Sequence, residues 1–282
     1  MISEFRAGRV VGESFKLVFR HFLTIGGISF ICCLPLIAVF ASEPTTQDDP
    51  EEAFQRSALS RSAARDPNQL LASLAMYLTY PLAAGSIAFA VYRSLRGQRV
   101  SFLESFGAGL KRILPLFGIL VCSFLFIGMG FLPAFFFLSY GLGSIPWVFL
   151  VIGTLLLLIP GFMLVMMVYV ANPVCIVEKK GVFASMRRSR ELSYGHRWQL
   201  FVAMIGVGLL AYIFTWVVGF ATAQVFIGLR TDPRSSMILP IGVTVLMMFF
   251  LSWSTTAPAV AYYHLRSVKD SVEVDDVANV FD

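Results

Sequence analysis

The sequence predicts an all-α protein, a polytopic membrane bundle of six transmembrane helices with short amphipathic interfacial helices between them. Three observations carry this. The run Ile113–Val177 contains no Asp, Glu, Lys, Arg or His; a span needs roughly 20 apolar residues, so this run holds two spans and a turn. Only 14% of the 282 residues are charged, where a soluble domain carries about 25%, and the mean hydropathy is +0.76. Third, the basic residues are unevenly spread over the polar intervals, as the positive-inside rule requires of a membrane protein.

Taken in order, Met1–His21 is polar and mildly basic, with Val10, Phe15, Leu17, Val18 and Phe19 interspersed; this predicts a helix lying in the membrane interface. Residues 22–40 form the first span. Their apolar core is longer than the roughly 7–15 residues of a signal peptide, and the polar lead is long, so cleavage is not expected. Ala41–Pro67 reads as a loop, and Asp66-Pro67 supplies an N-cap and a first-turn proline for the second span, 70–92, in which Pro81 and Gly85 predict a kink. The basic interval Arg93–Arg112 precedes the third span, 113–140. Gly141–Ser144 reads as a tight turn, and the fourth span, 145–171, is expected to break at Pro160-Gly161. A second and denser basic interval, Glu178–Leu200, leads to the fifth span, 198–229, which is longer than needed and should tilt. Arg230–Ser236 is a polar turn before the sixth span, 237–264, and residues 265–282 read as a flexible acidic tail. The whole chain is one integral membrane domain.

Six spans place both termini on one side. Arg56, Arg61, Arg65, Arg230 and Arg234 fall on the other, leaving 17 of the 22 basic residues on the side of the termini. That bias predicts cytoplasmic N- and C-termini and absorbs the net charge of +5, so nucleic acid is not an expected partner. The polar intervals also echo one another. Glu13-Ser14-Phe15, Glu104-Ser105-Phe106 and Ala184-Ser185-Met186 each stand before basic residues and a span, which suggests three repeats of an interfacial helix plus two spans.

Within Glu178–Leu200, Ser185, Ser189 and Ser193 fall four residues apart and share a helical stripe. Such a stripe is a candidate packing seam against a membrane helix. Lys179, Lys180, Arg187, Arg188 and Arg190 are the candidate contacts for lipid or a partner, with anionic headgroups as the ligand. The plainer alternative is a solvated linker whose charges only fix topology. Gly195 predicts a left-handed helix stop and Trp198 a headgroup-level anchor.

No catalytic, metal or cofactor site is predicted. His21, His196 and His264 would have to converge with carboxylates such as Glu178 or Glu191 to hold a metal. Cys32, Cys33, Cys122 and Cys175 lie within or beside apolar segments, where they serve as small packing residues. No ionisable residue is buried mid-span, the usual equipment of an ion-driven transporter, and no Walker loop, GxSxG or HExxH motif is present.

Asn172-Pro173, Glu178 and the run Gly181-Val182-Phe183-Ala184-Ser185-Met186-Arg187, with Ser189 and Leu192, resemble the signature of the YciC-like bacterial inner-membrane proteins. Gly97, Val100, Phe102 and Tyr263–Arg266 also sit where such sequences carry comparable residues. That family is similar in turn to the membrane domain of some glycerophosphoryl diester phosphodiesterases. The resemblance implies a six-span protein of the bacterial cytoplasmic (inner) membrane, in a largely uncharacterised family associated with envelope integrity. The phosphodiesterase activity is not carried over, because a phosphodiesterase domain is not expected in this chain. The functional expectation is therefore a non-enzymatic protein of envelope or membrane-lipid homeostasis. The alternatives are a transporter or lipid permease using the kinked spans, and a membrane adaptor whose protein partner is a separate enzyme.

Overall fold

The computed structural model describes residues 7–42, 67–141, 146–228 and 235–281, and all regular structure among them is helical. In chain order the helices are α1 (Ala7–Arg20), α2 (Phe22–Ser42), α3 (Pro67–Leu95), α4 (Phe102–Lys111) and α5 (Ile113–Gly141). They are followed by α6 (Trp147–Val168), α7 (Ala171–Val177), α8 (Val182–Ser193), α9 (Arg197–Gly228) and α10 (Ser235–Phe281). Four stretches of these helices are long and apolar enough to cross a membrane: Ile113–Ser139, Trp147–Val177, Arg197–Ala221 and Thr244–Asp270. The count becomes five if α1 and α2, bent by 86° at His21, are taken as one span. The expected division into six is thus matched only as a bundle of four to five such helices. The loop at 43–66, most of the turn at 141–144 and the arginines Arg56, Arg61, Arg65, Arg230 and Arg234 lie outside the described residues.

Local chemistry explains where the helices start and stop. In α1, Val10, Ser14, Leu17 and Val18 are buried on one face, the spacing of an amphipathic surface helix. The break expected at Pro160-Gly161 is not there, since α6 runs through both residues. It falls instead at Tyr169-Val170, ahead of Pro173 in α7. A proline ring clashes with the carbonyl four residues back, here that of Tyr169. In the first turn of a new helix, its missing N–H costs nothing. At Pro160 the long apolar helix absorbs the single lost hydrogen bond. A second correction concerns the tail. Residues 265–282 were expected to be loose, but α10 continues to Phe281. Leu265 is fully buried, and Arg266 pairs with Asp270 at 2.9 Å one turn on, which together carry the helix past His264.

The centre of the bundle lies where α2, α3 and α10 meet, with Ile28, Ala83, Ile87, Ala259 and Val260 buried in one cluster. Ser29 and Ser252 are hydrogen-bonded across it at 2.7 Å. Helix α10 is the central element, with 59% of its apolar window buried against 11% for the Trp147–Val177 stretch. Helices α5 and α6 form a hairpin that packs mainly on itself. A Cβ on Gly130 would stand 2.8 Å from Cα of Gly161, so the two backbones touch.

Three of the four short helices follow one packing rule. Helix α4 lies on α3, α8 lies on α6 and α7, and α1 lies on α10. Helices α4 and α8 thus rest on the helices just before them, and α1 rests on α10, so the packing closes on itself. Polar pairs mark the joints. Glu13 meets His264 at 2.7 Å, Glu104 pairs with Arg93, and at the third joint the signs are exchanged, with Arg188 on α8 facing Glu178 after α7 at 3.6 Å.

Candidate functional site

The segment from Glu178 to Trp198 is shaped by two residues in the left-handed region. Glu178 closes α7 with its N–H on the Val174 carbonyl at 2.9 Å. Lys179, at φ +54°, then reverses the chain so that α8 can start after Gly181. Gly195, at φ +88°, ends the segment and turns the chain into α9; a side chain there would be strained, which is the reason for glycine.

Ser185, Ser189 and Ser193 are all fully buried, together with Leu192, on the face of α8 that meets α6 and α7. The Ser193 hydroxyl shares its one proton between the Ser189 carbonyl at 2.8 Å and the Met166 carbonyl at 3.1 Å. Small side chains let the helices approach closely, and the hydroxyl crosses between them.

The five basic candidates do not form one surface. Arg188, assigned by the sequence to lipid or a partner, is instead turned inward. It faces Glu178 at 3.6 Å, Glu191 at 3.6 Å and Asp270 at 3.4 Å. Lys180 is bound to Glu178 at 2.6 Å. It is α10 that brings Asp270 against α8 from far along the chain. The network continues there. Tyr262 donates to Glu178 at 3.0 Å, and Arg266 donates to Tyr262 at 3.1 Å, to Tyr92 at 3.4 Å and to Asp270 at 2.9 Å. Lys180, Arg188 and Arg266 thus oppose Glu178, Glu191 and Asp270 in a balanced cluster that joins α8, α10 and α3. Burial raises the pKa of the Glu178 carboxyl, but the hydrogen bonds from Lys180 and Tyr262, with the charges of Lys180 and Arg188, outweigh it and hold it below its ordinary value. Lys179 points elsewhere, into a depression shared with Arg93, Glu104, Lys111 and Arg112.

Arg187 and Arg190 remain. Both are exposed, and Arg187 has only a loose pair with Glu191 at 3.7 Å. They stand at the end of an apolar groove floored by Phe126, Leu164, Met167 and Phe183. On the opposite side of α6 a second apolar groove runs toward α9 and has Arg197 and Trp198 at its end. The histidines take separate places. His21 is hydrogen-bonded to Ser94 at 2.7 Å, with burial and then the Arg20 charge holding its pKa below the ordinary value, and His264 is bound to Glu13. Among the described residues no group of three or more His, Cys, Asp or Glu side chains could hold a metal ion.

An all-helical bundle with several apolar helices, exposed apolar faces and a charged rim at one end fits the class of multi-pass membrane proteins. Within that class, a family model matches residues 9–268, and the chain belongs to that family, DUF7544, described as a family of unknown function. No curated protein and no solved structure matches the chain.

Proposed function

We propose that this chain is a non-enzymatic protein of a bacterial inner membrane that acts in envelope or membrane-lipid homeostasis. Its exposed arginines on α8 would engage anionic lipid headgroups. In this reading α2, α3, α5, α6 with α7, α9 and α10 are six spans, both termini are cytoplasmic, and the chain is three units of one short and two long helices. The cyclic packing of α1, α4 and α8 and the resemblance to YciC-like proteins support it.

One observation carries the lipid role. Arg187 and Arg190 are exposed at the end of a groove of Phe126, Leu164, Met167 and Phe183, while the neighbouring Lys180 and Arg188 face carboxylates. Exposed cations above apolar surface are the complement of a phosphate above an acyl chain. The packed α2–α3–α10 centre, closed by the Ser29–Ser252 hydrogen bond, weighs against a permease path there.

The test is the headgroup preference of the lipid shell, measured by spin-labelled phosphatidylglycerol against phosphatidylcholine around the reconstituted protein. Each basic residue near an anionic surface contributes about 1 kcal/mol, so R187Q/R190Q should lower the preference severalfold. An unchanged preference would remove the lipid role. Topology is tested separately by a cysteine at Gln98, in a chain freed of its four cysteines, which should react only from the cytoplasmic side.

A further inference from the structure

We infer that the groove between α6 and α9 is a built site for one anionic glycerophospholipid, with Arg197 on the phosphodiester and one acyl chain along Ile159, Phe162, Met163 and Phe201. This deepens the lipid reading above and rests on its placing these helices in a bilayer, but it uses residues that reading does not.

The groove is lined almost wholly by apolar side chains, and its lining includes one charged group, Arg197, and no carboxylate. Among the described residues Arg197 forms no ion pair with Asp or Glu. Its guanidinium lies 5.6 Å from the Tyr194 ring, and its Nε is buried with no acceptor. A guanidinium beside an apolar slot with no carboxylate opposing it complements a phosphate, the anion whose geometry arginine favours. Because the lining offers no anion to a choline or ethanolamine ammonium, the site selects a phosphodiester with no positive group attached.

The apolar part has the matching shape. Near Arg197, α6 and α8 are held together by the Ser193–Met166 hydrogen bond at 3.1 Å. The seven steps from Met166 back to Ile159 extend the slot by about 10 Å along α6, at about 1.5 Å per residue. Phe162 and Phe201 meet edge-to-face at 5.5 Å and form its floor. Trp198, 73% exposed beside Arg197, stands at the rim, where amphipathic rings mark the headgroup level. A peptide segment seated here would need its own carboxylate at the arginine; the lipid needs nothing beyond what every anionic phospholipid carries.

The experiment is native mass spectrometry of the full-length protein released from detergent, after titration with phosphatidylglycerol or phosphatidylcholine of identical acyl chains. Helical circular dichroism and elution volume verify the fold of each variant. The wild type should hold one phosphatidylglycerol in preference to phosphatidylcholine. R197Q should weaken that binding about fivefold and erase the preference, R197K should keep the preference, and M163W, which fills the slot, should release the lipid whatever its headgroup. R187Q/R190Q should leave this one lipid bound while changing the surrounding shell. The proposal is overturned if the wild type shows no preference, or if R197Q binds as the wild type does. It is also overturned if a photocrosslinker placed at Ile159 captures another protein or a second copy instead of lipid. Loss of the bound lipid in R187Q/R190Q but not in R197Q would sink this site and leave the α8 reading standing. The converse pattern, with an unaltered shell in R187Q/R190Q, would sink the α8 reading and leave this one.

Discussion

Neutralising Glu178 with Glu178→Gln tests whether the balanced cluster holds α8 against α10. The amide keeps the size of the carboxylate but can retain only a neutral acceptor for Tyr262 at 3.0 Å, Lys180 at 2.6 Å or Arg188 at 3.6 Å. Hydrogen bonds to a charged group contribute about 1.5–3 kcal/mol, and breaking a fully buried ion pair costs about 3–5 kcal/mol. The case here lies below that range. The Glu178 side chain is 11% exposed, but Arg188 keeps Asp270 at 3.4 Å and Glu191 at 3.6 Å. The expected loss is therefore about 2 kcal/mol, which at about 2–4 °C per kcal/mol lowers Tm by about 6 °C at neutral pH. The pH dependence follows from the lowered pKa of this carboxyl. A folded-state value below the ordinary 4.5 means the stabilisation is complete above that value and is lost as pH falls through the lowered one. The Tm gap between wild type and E178Q should therefore close in acid. Thermal unfolding in a mild detergent at one fixed scan rate, followed by tryptophan fluorescence, reads both effects. The reasoning fails if E178Q melts within about 1 °C of wild type at neutral pH, or if the gap persists unchanged well below pH 4.5.

Two close approaches give further tests. A Cβ on Gly109 would collide with the Ser86 hydroxyl and stand 3.0 Å from the Leu82 carbonyl and the Ser86 nitrogen. Overpacking of this kind costs about 1–3 kcal/mol, so G109A should lower Tm by several degrees, while G107A, with nothing within 4 Å, should leave it level or slightly raised. G130A forces apart the α5 and α6 backbones at Gly161 and should loosen the hairpin; a disulfide engineered across it should form more slowly in G130A than in wild type, and an equal rate would show that the hairpin tolerates the extra carbon.

The long helices were legible because composition alone decides them. The stretch expected at 113–140 is Ile113–Gly141, and that expected at 198–229 is Arg197–Gly228. Charged residues stop where apolar surface begins, and no distant contact is needed to see it. The split among the basic residues was not legible, because the partners that divide them are remote. Tyr262 is 84 residues from Glu178, and Asp270 is 82 from Arg188. On α8 alone, Arg187 and Arg188 look interchangeable, and Glu178 and Asp270 tell them apart. Asp270 was not legible for the same reason, since it looks solvated until it is seen between Arg188 and Arg266. Pro160-Gly161 was expected to break its helix, and the break falls instead ahead of Pro173. What distinguishes them is position, one deep within an apolar helix and the other in the first turn of a short one.

The seating of α1 on α10 has a consequence for how the protein is made. Helices α4 and α8 each find their supporting helix already synthesised when they emerge. Helix α1 does not: its ring contacts, Phe15 on Trp253 at 5.2 Å and Phe19 on Phe249 at 6.0 Å, and the Glu13 bond to His264 at 2.7 Å, all await the last helix of the chain. Until the ribosome has delivered α10, the first helix can rest only on α2 and α9, and these ring and Glu13 contacts complete its seat in a late step. A chain cut short before Phe249 would thus fail at its beginning as well as at its end.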